Sequence, residues 1–237
     1  MPFIGILIFF WVLNEEEVIN RIFLRQRQVA TELAGVAYQA DFTYKEYDFR
    51  SGKEQTIECQ RRVIMKRYEE QEFEFLKVSV DGRIVSGREK TQVCRRLVKK
   101  GLIARQTRMP FFLETQDDYR YEVTGIRVWQ GESVVMVKFI PRRADDYHIR
   151  GVGYVRVNSG DVLRLEFLPA RLPFVVADAQ MVINYGLIQG YWLPKEFRLK
   201  MDLRLNFLVE VMSRRIEIYD VYDDYQLNLR QSSRWEE

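Results

Sequence analysis

Residues 151–167, GVGYVRVNSGDVLRLEF, hold two runs of alternating apolar and polar residues around a short polar segment. Alternation with a period of two is typical of β-strands that bury one face. The segment Asn158-Ser159-Gly160-Asp161 consists of turn-forming residues, so it predicts a hairpin between the two strands. Strands joined by such a short turn pair antiparallel.

The same pattern extends to both sides of this hairpin. Gln130-Gly131 separates residues 119–129 from residues 132–141 in a second predicted hairpin. Further strands are predicted at about 177–185, 191–201, 203–211 and 215–222, with others at 36–44, 57–65 and 73–80. A succession of about ten or eleven strands predicts one large antiparallel sheet, which must curl, close or be covered on one face.

Two helices are predicted beside these strands. Asn14 is a good N-cap, three glutamates follow it, and apolar residues then recur at helical spacing until about Gly35. The second helix covers about residues 86–101, where Val93 and Leu97 share one face and most basic residues fall outside it. The predicted fold class is therefore α+β, mainly β, with the helices as the cover of the sheet.

The start of the chain bears on the compartment. Residues 3–13 are unbroken apolar, which is too short for a membrane-spanning helix but matches the apolar region of an export signal. No basic residue precedes this stretch, and no small-residue cleavage motif follows it. We expect residues 1–14 to be a signal peptide or a retained anchor and residues 15–237 to form a single domain. A hydrophobic first strand is the alternative.

Composition and motifs exclude several function classes. With 37 basic and 34 acidic residues the net charge is +3, which does not predict a nucleic-acid partner. Two cysteines and one histidine are a poor supply for metal or Cys/His chemistry, and no catalytic or nucleotide-binding motif is present. We expect Asp117-Asp118, Asp145-Asp146 and Asp223-Asp224 to lie in loops and at strand ends, and His148 to face solvent. The expectation is a protein without catalysis, cofactor or metal.

A basic stretch surrounds the end of the second helix, and no acidic residue occurs between Lys90 and Leu113. Such a surface could meet anionic lipid headgroups or an acidic partner, and a solvated helix face is the alternative. Its members are Arg95, Arg96, Lys99, Lys100, Arg105 and Arg108.

The two cysteines could meet if the second helix covers the sheet. Cys59 shares strand parity with Met65, and Cys94 lies on the apolar side of that helix. In an oxidising compartment they could pair as a disulfide. Two buried free thiols are the alternative.

The second half of the chain carries a pattern of its own. The hairpin at 151–167 is followed by MVINYGLIQGYWLPKEFRLKM at 181–201, with its Tyr-Trp-Leu-Pro strand, and by RIEIYDVYDDYQL at 215–227, with its Tyr-x-x-Tyr strand. In these features the sequence resembles the outer-membrane lipoprotein carrier (LolA-like) superfamily, over about residues 15–228.

The resemblance implies a curved antiparallel half-barrel whose helices cross its concave face and enclose an apolar cavity for acyl chains. It implies an exported, periplasmic, monomeric and non-enzymatic carrier of lipid or lipoprotein, with envelope proteins as further partners. A sensor or scaffold module on the same fold is the alternative. The candidate cavity residues sit at alternating strand positions, where plain core is the competing interpretation. They are Tyr38, Phe42, Tyr44, Met65, Phe73, Phe75, Val137 and Phe139.

Overall fold

The computed structural model describes residues 14–66, 72–99, 108–206 and 210–229. This part of the chain holds helices α1 (Glu15–Glu32) and α2 (Gly87–Lys99), a 3-10 helix (Leu113–Asp118) and eleven strands. The strands are β1 (Leu33–Asp48), β2 (Lys53–Lys66), β3 (Glu72–Val80), β4 (Arg83–Ile84), β5 (Tyr119–Trp129), β6 (Glu132–Pro141), β7 (Ile149–Arg156), β8 (Val162–Pro169), β9 (Val176–Ile188), β10 (Tyr191–Asn206) and β11 (Glu210–Leu229).

All eleven strands join in one open sheet. Strands β5 to β11 follow one another as neighbours, β1 pairs with β11, and β2, β3 and β4 continue outward from β1. Every pairing between named strands is antiparallel. The prediction of a mainly β, curved antiparallel half-barrel is confirmed.

One face of the sheet is mostly apolar from β3 to β5. Residues that lie opposite one another on paired strands share a face, so the register traces a single row of side chains. That row reads Val78, Cys59, Phe42, Asp220, Phe197, Ile183, Leu165, Gly153, Val137 and Val123. We call this face the inner face and the opposite one the outer face.

Both helices pack on the inner face, at opposite ends of the sheet. The α1 core comprises Val18, Ile22, Phe111, Tyr119, Val135, Val137, Phe139, Ile149, Val155, Val162, Leu165 and Phe167. The α2 core comprises Phe42, Tyr44, Ile57, Cys59, Val78, Val85, Leu97 and Ile218. Half-buried Phe197 packs against both cores, so it joins them across the middle of the sheet.

A local capping signal sets the start of α1, and strand pairing sets its end. The Asn14 side chain accepts a hydrogen bond from the Glu16 amide at 3.1 Å, as the N-cap prediction requires. The predicted end near Gly35 is wrong, because α1 ends at Glu32 and β1 begins directly at Leu33. Leu33 pairs with Leu229 on β11 and Gly35 pairs with Asn228, so residues 33–35 belong to the sheet and not to the helix.

The last strands also differ from the prediction. Residues 203–211 do not form a strand of their own, because β10 extends to Asn206 and β11 begins at Glu210. Asn206 pairs with Glu210, so these two long strands form one hairpin. Residues 207–209, between these two strands, lie outside the described residues.

Helix α1 is fixed to the turn between β7 and β8. Arg25 Nε donates to Asp161 Oδ1 at 2.7 Å in a largely buried ion pair. Arg21 Nη1 donates to the Val157 carbonyl oxygen at 2.5 Å. The turn lies in close contact with the helix at Gly160, since a Cβ there would lie 2.7 Å from the Arg21 carbonyl oxygen.

We expect Gly160→Ala to lower the free energy of unfolding by about 2–4 kcal/mol, measured by urea denaturation. The substitution strains a backbone with φ of +75° and pushes against α1. Gly190→Ala is the matched control, because φ is +90° there and nothing lies within 4 Å of the added Cβ. The control should carry the backbone strain alone, so equal losses in the two variants would contradict a tight contact between α1 and this turn.

Candidate functional site

The predicted cavity residues share the inner face but do not form one cluster. Phe42 and Tyr44 are buried in the α2 core, with Phe73 and Phe75 half-buried against it. Tyr38 and Met65 are half-buried on the same side of β1 and β2. Val137 and Phe139 are fully buried in the α1 core, at the other end of the sheet.

Six half-buried apolar or aromatic side chains on the inner face of β1, β10 and β11 belong to neither core. We call them the central inner surface, and they are Tyr38, Met201, Leu203, Leu205, Tyr222 and Tyr225. The three tyrosines lie at one end of these strands and Met201, Leu203 and Leu205 lie at the other, with Ile218 of the α2 core between the two groups. Half-buried apolar side chains next to a helix-covered core are where a hydrophobic ligand could be sheltered from water.

The tyrosines of this surface pack against one another. Tyr38 contacts Tyr222 edge-on, with ring centroids 5.4 Å apart, and Tyr225 at 5.1 Å. Burial raises the pKa of Tyr38 to about 12 and holds the pKa values of Tyr222 and Tyr225 above the ordinary tyrosine value. These shifts mark an environment of low polarity around the hydroxyl groups.

A buried ion pair lies beside the tyrosines. Arg61 on β2 and Asp220 on β11 are each 5% exposed, and Arg61 Nη2 lies 2.5 Å from Asp220 Oδ2. One signal in the sequence could have indicated Arg61, because it breaks the apolar alternation of Ile57, Cys59, Val63 and Met65 on β2. Asp220 was missed, although it occupies an inner-face position between Ile218 and Tyr222.

One cavity in the described part of the chain lies on the outer face, opposite the predicted acyl-binding residues. It has a volume of about 790 Å³ and spans strands β2, β1, β11, β10, β9 and β8. Its lining is mostly polar and charged, and includes Lys45, Glu58, Arg164, Asn184, Arg198, Lys200, Glu217 and Tyr219. Such a lining does not suit acyl chains.

The second cavity, of about 620 Å³, gathers the histidine and three carboxylates. It is lined by Arg108, Asp117, Asp118, Arg142, Arg143, Asp145, Tyr147 and His148. His148 Nδ1 lies 2.6 Å from Asp145 Oδ1, and its Nε2 lies 3.5 Å from Asp118 Oδ2. The hydrogen bond from His148 lowers the pKa of Asp145.

The expectation that His148 faces solvent is wrong. The residue is 5% exposed because its ring packs edge-on against Tyr119, with centroids 5.8 Å apart. Asp145 also accepts from the backbone amides of Tyr147 and His148, so these groups hold the loop before β7. Among the described residues that line the cavity there is no serine, threonine or cysteine for the histidine to activate.

We therefore expect His148→Ala to act on stability, lowering the free energy of unfolding by about 1–3 kcal/mol. The loss follows from the missing bond to Asp145 and the missing contact with Tyr119. Tyr147→Ala is the control on the same loop, because Tyr147 is exposed, and it should change stability by less than about 0.5 kcal/mol. Chemical denaturation of both variants checks this. An unchanged stability for His148→Ala would argue against a structural role.

The basic residues do not form one patch in the part of the chain that is described. Arg95, Arg96 and Lys99 are exposed on α2, and Arg96 donates to the Gln55 side chain. Arg108 lies near β7, where its Nε donates to Asp118 Oδ2 at 2.6 Å. Lys100 and Arg105 lie outside the described residues, as do residues 1–13 with the apolar stretch at the start of the chain.

The two cysteines meet at the α2 core, where the structure shows both as free thiols. Cys59 is buried in that core and Cys94 packs against it from α2. Burial raises the pKa of the Cys59 thiol to about 12, which makes this thiol a poor nucleophile at neutral pH.

The described residues contain neither a metal-ligand cluster nor a membrane-spanning helix. No group of three or more His, Cys, Asp or Glu side chains in the described ranges is arranged to hold a metal ion. Neither α-helix within those ranges has the length and apolar character that a membrane crossing requires.

No protein-family model and no curated protein matches the chain. Among solved structures, it is similar to a DUF1329 family protein from Desulfovibrio piger, at 15% identity and a TM-score of 0.44, over 92% of this chain and 95% of that one. It is similar to an outer membrane lipoprotein-sorting protein domain from Vibrio parahaemolyticus, at 11% identity and 0.41, over 91% and 94%. It is also similar to a LolA superfamily protein from Nitrosomonas europaea, at 10% identity and 0.38, over 91% and 94%.

Proposed function

We propose that this protein is a non-enzymatic carrier that binds the acyl chains of a lipid or lipoprotein on the central inner surface. The observation that carries the proposal is a set of apolar and aromatic inner-face side chains that lie outside both helix-covered cores and are only half-buried. The resemblance of the sequence to the LolA-like superfamily supports the same reading. As part of the proposal, residues 1–14 direct export to the periplasm or anchor the chain there, and residues 15–237 form the binding domain.

Burial of hydrocarbon supplies the driving force. Each methylene taken out of water contributes about 0.8 kcal/mol, so about ten of them contribute about 8 kcal/mol before the costs of association. Met201, Leu203 and Leu205 lie at alternating positions of β10 and offer apolar contacts at one end of the surface. The tyrosines at the other end of the surface supply rigid aromatic contacts.

The helices have different roles in this proposal. Helix α1 is fixed by the largely buried Arg25–Asp161 pair. Helix α2 is held mainly by Leu97 in its core and by bonds from Lys90 to the Phe75 and Leu76 carbonyl oxygens. We therefore assign ligand entry to movement of α2, whose exposed Arg95, Arg96 and Lys99 would meet lipid headgroups or an acidic partner.

Binding of an apolar fluorescent probe, 1-N-phenylnaphthylamine, tests the proposed surface. Leu203→Gln places a polar group on the central inner surface, and we expect it to weaken probe binding about tenfold. Arg204→Gln is the matched control, because Arg204 is the next residue of β10 and is exposed on the outer face. Equal affinities for the wild type and Leu203→Gln would contradict the proposal.

A second candidate function is a sensor or scaffold that binds an envelope protein without carrying lipid. One observation favours it: β5 is an edge strand, and Ile126 and Val128 near its end are 55% and 75% exposed. Edge strands with exposed apolar side chains can accept a strand from a partner. A stable protein complex that is lost in Val128→Lys, from a chain that binds no lipid, would favour this function over the carrier.

A further inference from the structure

Arg61 and Asp220 meet across β1 in the middle of the apolar inner face. The register places Ala40 beside Arg61, and Phe42 beside Asp220. Because the Ala40 side chain is small, the guanidinium can pass over β1 to reach β11. Its Cζ lies 5.4 Å from the centroid of the Phe42 ring, so an aromatic face supports the cation.

The pair is buried and only partly hydrogen-bonded. Arg61 Nη2 and Asp220 Oδ2 bond to each other, whereas Arg61 Nε, Arg61 Nη1 and Asp220 Oδ1 are buried and have no hydrogen-bond partner among the described residues. The Cys59 thiol contacts Arg61 and the Tyr222 hydroxyl hydrogen-bonds to the Asp220 carboxylate. These contacts leave the three atoms named above without a partner. Buried polar atoms of this kind carry their full desolvation penalty until a partner is supplied.

We propose that the Arg61–Asp220 pair recognises the polar linkage of the bound acyl lipid. In this arrangement Arg61 donates to an ester or amide carbonyl oxygen, and Asp220 accepts from a hydroxyl or N–H group next to it. The proposal rests on the proposed function, because it places the linkage of the lipid beside the tyrosine end of the central inner surface. Tyr38 and Tyr222 would flank the linkage, since both side chains adjoin the pair.

Charge decides which lipid fits. The pair is neutral as a unit, and a neutral carbonyl with an adjacent hydroxyl group satisfies its free atoms without adding charge. A fatty-acid carboxylate would bring a second negative charge next to Asp220 in a region of low polarity, which is unfavourable. The site therefore selects neutral acyl esters or amides over fatty-acid anions, and a plain hydrocarbon gains nothing from the pair.

Displacement of bound 1-N-phenylnaphthylamine by monopalmitoylglycerol and by palmitate, below their micelle concentrations at pH 8, tests this selectivity. We expect monopalmitoylglycerol to bind wild-type protein about tenfold more tightly than palmitate. In the double variant Arg61→Met, Asp220→Leu we expect this difference to vanish while the probe itself binds as before, because apolar replacements of a buried pair preserve the fold. The control is Arg215→Met, Asp202→Leu, which removes an Arg–Asp pair from the outer face of β10 and β11.

The outcomes separate this inference from the proposed function. Failure of wild-type protein to bind the probe overturns both. Probe binding with equal affinities for the two lipids in the wild type overturns the selectivity alone. An unchanged preference in the inner-face double variant, equal to that of the outer-face control, also overturns it, because the preference would then come from elsewhere.

Discussion

Replacing Arg61 alone by leucine is expected to lower the free energy of unfolding by about 3–5 kcal/mol at pH 7. The substitution leaves Asp220 buried at 5% exposure with no cation beside it, while its inner-face neighbours are aromatic and aliphatic. Urea denaturation followed by circular dichroism measures the loss. The expected loss of unfolding free energy does not depend on any ligand.

The pH dependence of the Arg61→Leu variant gives a second readout. Burial already raises the pKa of Asp220 in spite of Arg61, and without the guanidinium that pKa rises further. A carboxyl group whose pKa is higher in the folded state than in the unfolded state stabilises the fold when protonated and loses that contribution as the pH rises through the folded pKa. The deficit of the variant should therefore shrink as the pH falls through that raised pKa toward the pKa of an unfolded aspartate, about 3.9.

The double variant Arg61→Met, Asp220→Leu is the control for both measurements. It removes both charges, so its stability should stay near that of the wild type and should not recover at low pH. A single variant as stable as the wild type, or a deficit that grows on acidification, would contradict the description of Asp220 as a carboxylate held in the fold by Arg61.

Phe139→Ala is expected to cost about 3–5 kcal/mol of unfolding free energy, because it opens a cavity in the α1 core. Phe139 is fully buried there and packs edge-on against Phe111 and Tyr119, with ring centroids 5.7 and 6.1 Å away. The sequence predicts that Phe139 lines the acyl cavity. A stability loss of this size would indicate instead that Phe139 is a core residue.

Phe73→Ala is the matched comparison at the other end of the sheet. Phe73 is half-buried against the α2 core, so its removal should cost roughly half as much as that of Phe139. Urea denaturation of both variants measures the two losses. Equal stability losses at the two positions would contradict the distinction between a fully buried core position and a half-buried position at its margin.

The alternation of apolar residues was sufficient to predict the sheet and its inner face. A period of two is a local property of the chain, so it places Val137 and Phe139 on one side of β6. The strand register puts Phe42 on the same face. Asn14 likewise signalled the start of α1 through a bond made within one turn.

Burial could not be read from the same alternation. The burial of a side chain depends on which strands the helices cover. The order of the strands depends in turn on the pairing of β1 with β11, which joins the first long strand to the last. Phe139 and Tyr38 have the same sequence signal, yet Phe139 is fully buried in the α1 core and Tyr38 is half-buried outside both cores. The Arg61–Asp220 pair also depends on the pairing of β1 with β11, because 159 positions of the sequence separate the two residues.

Native mass spectrometry of the protein, exported in a Gram-negative host and purified without detergent, tests the central claim most directly. We predict a folded chain that carries one acyl lipid, whose mass identifies a neutral ester or amide linkage, and that loses this lipid in the Leu203→Gln variant. A bare chain, both as purified and after incubation with an extract of envelope lipids, would contradict the carrier function.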